Sequence, residues 1–272
     1  MKKKKKLVFV YDVDGTLVPG DIPDYKLIPS MGMTPREFWT DCQNFSQSTG
    51  CEDILAYMHQ LVEFARKNKT SLSRDFLVKM GQGIPTFNGV NTWFTRINAF
   101  AAEHDVEIEH YVVSAGLLEL IESASFAPMM KRIFASEYIY KDGCAVWPKR
   151  AVNHTFKTQF IFRISKGLIY DINSQDVNER CHDHPIPFKQ MVFIGDGMSD
   201  IPAMTVVQER GGKSIAVYAP GNLKKKELTR ELMVQGRVAA AVPADYSDGS
   251  PLDVAIKQIV CKHGGKFHEH CK

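Results

Sequence analysis

The chain has 272 residues, 44% hydrophobic and 24% charged, and its 34 basic against 31 acidic side chains leave a formal charge of +3. This is enough chain for one large α/β domain, or for a domain with a sizeable insert, and the near balance of charge gives no footprint for nucleic acid as a partner. No stretch approaches the roughly 20 apolar residues of a membrane span.

The basic excess is concentrated in Lys2–Lys6, a solvated tail, with contact to anionic surfaces as the alternative. The apolar residues that follow are cut off by Asp12, too early for a signal peptide. The six cysteines, Cys42, Cys51, Cys144, Cys181, Cys261 and Cys271, are scattered without metal-ligand pairing. A cytoplasmic protein with reduced thiols is the simplest reading.

Leu7 to Tyr11 is a run of β-branched and aromatic residues without polar alternation, the pattern of a parallel strand buried on both faces. It ends in Asp12-Val13-Asp14-Gly15. Alternation along an extended chain points Asp12 and Asp14 to the same side, and Gly15 frees the backbone to turn. Residues 19–35 are rich in turn formers. Thr34-Pro35-Arg36-Glu37 is a helix start, with an N-cap, a proline in the first turn and an acid. Apolar residues then recur at helical spacing through Ala65, again from Ser73 to Met80, and again from Trp93 to about His104. No strand pattern occurs among them, and the segment is far too long for an ordinary crossover. It predicts a helical insert, residues 19–105, lying over the strand ends, with residues 1–18 and 106–272 as the core.

The next strand is His110–Val113, ending at Ser114-Ala115-Gly116, with a helix from Leu117 to about Ser123. Met130–Phe134 predicts a short strand, and Glu137–Trp147 a separate hairpin turning at Asp142-Gly143. A helix is expected over Lys157–Leu168. Residues 172–187 form a long polar loop, in which His182, Asp183 and His184 are either solvated or near the site. Met191–Ile194 is another buried strand, running into Gly195-Asp196-Gly197-Met198-Ser199-Asp200. A helix over Ile201–Gln208, strands at Ser214–Tyr218 and Val238–Val242, and a helix from Ser250-Pro251 to Val260 complete the pattern. Cys261, His263, His268, His270 and Cys271 could gather a soft metal, but their irregular spacing favours a frayed tail. Strands alternating with helices give the fold class, an α/β doubly wound parallel sheet with an inserted α-helical cap subdomain.

In such sheets ligands bind at the carboxyl ends of the strands. If the strands ending at Asp12 and Asp196 are neighbours, several carboxylates meet at one edge. That cluster calls for a hard cation with oxygen ligands, such as Mg²⁺. A cation among carboxylates beside a small hydroxyl suits a phosphate group, and a carboxylate can take up a phosphoryl group covalently.

These motifs, in this order, resemble those of the haloacid dehalogenase (HAD) superfamily, and specifically its phosphoserine-phosphatase-like members with a helical cap after the first motif. Asp12-Val13-Asp14-Gly15-Thr16 is similar to the first motif, Val112-Val113-Ser114-Ala115-Gly116 to the second, and Ile194-Gly195-Asp196-Gly197-Met198-Ser199-Asp200 to the fourth. The resemblance implies a HAD-like Rossmannoid core and a Mg²⁺-dependent phosphatase acting on a small phosphorylated substrate. Asp12 would be the nucleophile and Asp14 the general acid and base. Ser114, Ala115 and Gly116 would bind the phosphoryl group, helped by N–H groups at the following helix start. Mg²⁺ would be held by Asp12, the Asp14 carbonyl and Asp196. Asp200 would hold the metal through water or orient the lysine.

The family's lysine has two candidates. Lys157 shares a helical face with Phe160, Ile161 and Ile164, whereas Lys166 lies about 180° round at roughly 100° per residue. Lys157 is therefore preferred as the catalytic lysine that the resemblance places against the substrate phosphate. The acid at Asp14 sets the chain apart from the dehalogenases, and the glutamate that meets the substrate amine in phosphoserine phosphatase is missing, with Pro19-Gly20-Asp21 nearby. The rival readings are a phosphotransferase and a catalytically idle binding protein on the same fold.

Overall fold

The structure, a computed structural model, describes residues 5–170, 175–180 and 184–265. Its centre is β1 (Lys5–Tyr11), buried from Leu7 onward. Alternate residues of β1 enter two different cores. Leu7, Phe9 and Tyr11 face one, and Val8 and Val10 the other. An unbroken apolar run is what a strand covered on both faces requires.

Five helices follow: α1 (Ile22–Tyr25), α2 (Leu27–Ser30), α3 (Pro35–Thr49), α4 (Asp53–Lys67) and α5 (Arg74–Gly81). The start of α3 is fixed by a capping box. The Thr34 hydroxyl accepts from the Glu37 N–H at 3.2 Å, and the Glu37 carboxylate accepts from the Thr34 N–H at 2.9 Å. Ser73 caps α5 with its hydroxyl alone, accepting from the Phe76 N–H at 3.1 Å. Helices α3 and α4 pack as a pair. Phe38, Tyr57, Met58 and Leu61 from this pair belong to the same apolar cluster as Phe9 and Tyr11, so the insert shares one core with one face of the sheet.

Helix α6 (Val90–Glu103) leads into β2 (Val106–Leu117) and packs on β2 and on the last helix, α11 (Pro251–Gly264). The chain continues through α7 (Leu118–Glu122), β3 (Arg132–Lys141), β4 (Cys144–Arg150), α8 (His154–Ser165), β5 (Met191–Gly195), α9 (Ile201–Glu209), β6 (Lys213–Tyr218), α10 (Leu223–Val234) and β7 (Ala240–Pro243) before α11. The seven strands lie in the order β4-β3-β2-β1-β5-β6-β7. All neighbours are parallel except β3 and β4. This is the expected doubly wound α/β fold, with an antiparallel edge.

Three expectations are corrected. The strand and hairpin predicted after residue 130 are one continuous strand, β3, followed by β4. The turn between them has positive φ at both Asp142 (51°) and Gly143 (78°), as an Asp-Gly hairpin turn demands. Strand β2 runs on through Ser114-Ala115-Gly116 to Leu117, irregular over that stretch, and α7 follows at once, close to the expected start. Finally, α10, and the short α1 and α2 within the turn-rich segment, have no counterpart among the predicted elements.

The β3–β4 arm reaches the helical insert. The Tyr138 hydroxyl donates to the Met58 carbonyl at 2.7 Å, and the Ala145 N–H to the Leu72 carbonyl at 2.9 Å. Cys42, Cys51 and Cys144 are free thiols, whereas Cys261 is disulfide-bonded, which corrects the expectation of reduced thiols at that position. Among the described residues no helix is long and apolar enough to cross a membrane. His182, Asp183, His268, His270 and Cys271 lie outside the described residues.

Candidate active site

Register brings the site together. Tyr11 pairs with Val112 of β2 on one side and with Ile194 of β5 on the other. The next residues of the three strands therefore emerge at one edge, with Asp12 and Asp14 flanked by Ser114 and by Asp196. The Asp12 N–H still donates to the Ile194 carbonyl at 3.0 Å, which ties the first aspartate to the sheet. The chain then folds back tightly: the N–H groups of Thr16, Leu17 and Val18 all donate to the Val13 carbonyl, and Gly15 takes φ +72°.

Lys157 lies in the first turn of α8, whose start is capped by Asn153 accepting from the Phe156 N–H at 3.0 Å. Its neighbours Phe160, Ile161 and Ile164 are buried in the core, and Lys157 itself is fully buried. Its ammonium is 3.0 Å from Asp12 Oδ2 and 2.7 Å from Asp200 Oδ1. A buried ammonium is tolerated only when paired. Burial alone would lower its pKa, but Asp12 and Asp200 outweigh burial and raise it. Lys166 is at the other end of α8 and donates to the carbonyls of Val177, at 2.8 Å, and Glu179. At that same end the Ser165 hydroxyl pairs with His184 Nδ1 at 2.8 Å, away from the strand ends.

The carboxylates are spaced by glycines. Asp200 is fully buried and accepts from the N–H groups of Asp196 and Gly197 at 3.2 and 3.3 Å. A Cβ at Gly195 would lie 2.4 Å from Asp200 Oδ2, and one at Gly15 would lie 2.2 Å from Asp196 Oδ2. Asp196 also meets Lys225 of α10 at 2.8 Å. Asp14 accepts from the Ile22 N–H at 2.8 Å, at the start of α1. Ser114 is buried, its hydroxyl accepting from the Gly116 N–H at 3.1 Å.

The electrostatics are those of an anionic cluster. Burial, then the Asp200 charge, push Asp12 up to about 6 despite Lys157. Burial with Asp21 and Asp12 holds Asp14 well above the usual carboxylate range. Asp196 and Asp200 are raised as well, by burial first. Carboxylate oxygens of Asp12, Asp196 and Asp200 all lie within 4.8 Å of one another. The side chain of Asp14 is outside this group. The donor set is all oxygen and carries more negative charge than the two lysines balance. It fits a hard divalent cation such as Mg²⁺.

Two cavities meet here. One, of about 400 Å³, exposes Asp12, Lys157, Asp196, Ser199, Asn222 and Lys225. The other, of about 410 Å³, runs beneath the helical insert past Trp39, Cys42 and Tyr57. They share Asp14, Asp21, Ile54 and Ala115. Ser199, Asn222 and Lys225 were not among the residues singled out in the sequence. Ser199 lies inside a motif already recognised. Lys225, within Lys224-Lys225-Lys226, has no sequence signal that distinguishes it from a solvated run.

Comparison with known proteins agrees with this geometry. The haloacid dehalogenase-like hydrolase family matches residues 9–205. An uncharacterized protein of Borreliella burgdorferi is 25% identical over 288 residues, covering 96% of this chain and 98% of its own. Among solved structures, a phosphoserine phosphatase in apo form superposes with a TM-score of 0.57 at 18% identity, covering 87% of this chain and 93% of that one. A HAD family hydrolase from Salmonella enterica serovar Typhi gives 0.59 at 12% identity, covering 92% and 69%. The chain belongs to the haloacid dehalogenase-like hydrolases.

Proposed function

We propose that the protein is a Mg²⁺-dependent phosphatase that hydrolyses a small phosphomonoester through an aspartyl-phosphate on Asp12. The observation that carries the reading is the pairing of a buried carboxylate, Asp12, with the buried ammonium of Lys157 at a cleft that also holds a second carboxyl, Asp14.

Asp12 attacks phosphorus as the ester P–O bond breaks. Asp14, whose pKa burial and neighbouring charge raise, gives a proton to the departing alkoxide, releasing the alcohol. Asp14, now ionised, takes a proton from water, whose oxygen attacks the aspartyl-phosphate. The Asp12 O–P bond breaks, and inorganic phosphate leaves. Ser114, Ala115 and Gly116 contact the phosphoryl oxygens, and Lys157 keeps Asp12 ionised and oriented. Asp12 and Asp196, with the Asp14 carbonyl, would hold Mg²⁺, and Asp200 would orient Lys157 and the loop around Asp196. Bound there, the ion would supply positive charge against the phosphoryl oxygens, so that an anion could approach an anion.

We assign the cap to residues 19–105, with α6 as its seam to the sheet. Its position over the strand ends supports a role in excluding bulk water. With para-nitrophenyl phosphate and Mg²⁺, turnover is expected, and EDTA or Asp12→Asn should abolish it. Asp14→Asn should slow it by about 10²–10⁴-fold. Full activity in Asp12→Asn would remove the mechanism.

A further inference from the structure

The two joined cavities are both rich in carboxylates, but they differ in where the positive charge lies. The cleft at the strand ends carries both lysines of the site, Lys157 and Lys225. The cavity beneath the cap is lined by the carboxyls of Asp14, Asp21 and Asp53, and none of its described lining residues is basic. Burial and the charges of Asp24, Asp196 and Asp12 push Asp21 up to about 6, a sign of how negative this region is.

The walls of the second cavity are aromatic. The rings of Trp39 and Tyr57 are 5.2 Å apart and tilted by 34°. The indole N–H of Trp39 donates to Asp24 Oδ1 at 2.7 Å, which fixes the ring in place. Asp53 is steadied by the Ser46 hydroxyl at 2.8 Å. Tyr57 is 4% exposed, yet its hydroxyl has no hydrogen-bond partner. Tyr57 lines this cavity together with Asp14 and Asp21. A buried hydroxyl without a partner costs free energy, and a ligand seated here would satisfy it.

We propose that this cavity receives the leaving group of the ester, and that this group is a small alcohol bearing an ammonium and no carboxylate, as in a phosphorylated amino alcohol. The proposal rests on the phosphatase reading above. The phosphate end of such a substrate meets Lys157 and Lys225, and its cationic end meets carboxylates and the faces of Trp39 and Tyr57, the environment that binds ammonium groups. A substrate carboxylate would enter a lining without a single cation and be repelled. Cleavage is as described above: the ester P–O bond breaks, and the amino alcohol leaves with the Asp14 proton.

The test is the hydrolysis, with Mg²⁺, of phosphoethanolamine, phosphocholine, 2-hydroxyethyl phosphate and phosphoserine, with para-nitrophenyl phosphate as reference. We expect kcat/KM for phosphoethanolamine or phosphocholine to exceed that for the neutral 2-hydroxyethyl ester by about tenfold or more. Phosphoserine should fall below phosphoethanolamine. Asp53→Asn, at an exposed helix start, and Trp39→Leu should each bring the cationic-to-neutral ratio toward one. Hydrolysis of para-nitrophenyl phosphate without a cationic preference, a preference for phosphoserine, or a ratio that survives both substitutions overturns this inference and leaves the phosphatase reading standing. No hydrolysis of any of the five esters removes both.

Discussion

Lys157 is the residue on which the site's charge balance turns. Its ammonium answers two buried carboxylates, so Lys157→Ala leaves Asp12 and Asp200 facing each other unpaired. A loss of about 3–5 kcal/mol in urea unfolding is expected, together with loss of phosphatase activity. Lys166, which caps loop carbonyls at the far end of the same helix, should cost less than about 1 kcal/mol when changed to alanine and leave turnover in place. Activity lost only in the second variant would reverse this assignment. Gly15 offers a different test. Its φ of +72° and the 2.2 Å between a would-be Cβ and Asp196 Oδ2 leave no room for a side chain. Gly15→Ala must move Asp196, and the Mg²⁺ concentration for half-maximal activity should rise by about tenfold or more. An unchanged metal requirement would mean that Asp196 does not contribute to holding the ion.

At the scale of elements, β1, β2 and α6 are joined by a buried polar chain. Trp93 Nε1 donates to the Tyr11 hydroxyl at 3.1 Å, which pairs with His110 Nδ1 at 3.2 Å, while His110 Nε2 meets Asn98 Oδ1 at 2.9 Å. This pattern uses a neutral imidazole that donates to Asn98 and accepts from Tyr11. Burial pushes the His110 pKa from 6.5 down to about 4. The unfolded chain therefore binds a proton here between those values while the fold does not. The stability contributed is fully present above pH 6.5 and is lost as pH falls toward 4, on the order of 3 kcal/mol at most. In His110→Gln, which keeps one donor and one acceptor, the fall in Tm over that window should shrink; an equal fall would assign it to other groups. Elements also differ in how plainly the sequence announces them. Buried parallel strands such as β1 and β5 are continuous apolar runs, and the Thr34 and Ser73 caps mark their helices. Strand β3 is interrupted in pattern by Ser136, whose hydroxyl donates to the Ala115 carbonyl and accepts from the Val152 N–H. That partnership exists only once the fold has formed. Helix α10 buries little beyond Thr229 and Leu232, so its lysine-rich sequence carries no clear stripe.

For the whole molecule, the strand-end motifs were legible because each lies directly after an apolar run, and the parallel register does the rest. What was not legible is long-range: which lysine of a run of three meets Asp196, and what lines the space under the cap. Those depend on how α10 and the insert settle on the sheet. The same settling has a thermodynamic consequence. Phe38, Tyr57 and Leu61 of the insert share their apolar cluster with Phe9, Trp93 and Ile256, and the β3–β4 arm is hydrogen-bonded to α4 and to the segment after it. Separating insert from sheet would expose a common interior, so neither part has a melting point of its own. Calorimetry should record one cooperative transition, with calorimetric and van't Hoff enthalpies in agreement; two resolved transitions would show an insert that folds independently. Cooperativity of that kind also limits how the substrate gets in. Entry by swinging the whole insert away would cost a large share of the folding free energy, so the path of least resistance is local loosening at the rim near Gly20 and Asp21, and turnover should be more sensitive to stiffening that short connector than to anything done to the far ends of α3 and α4.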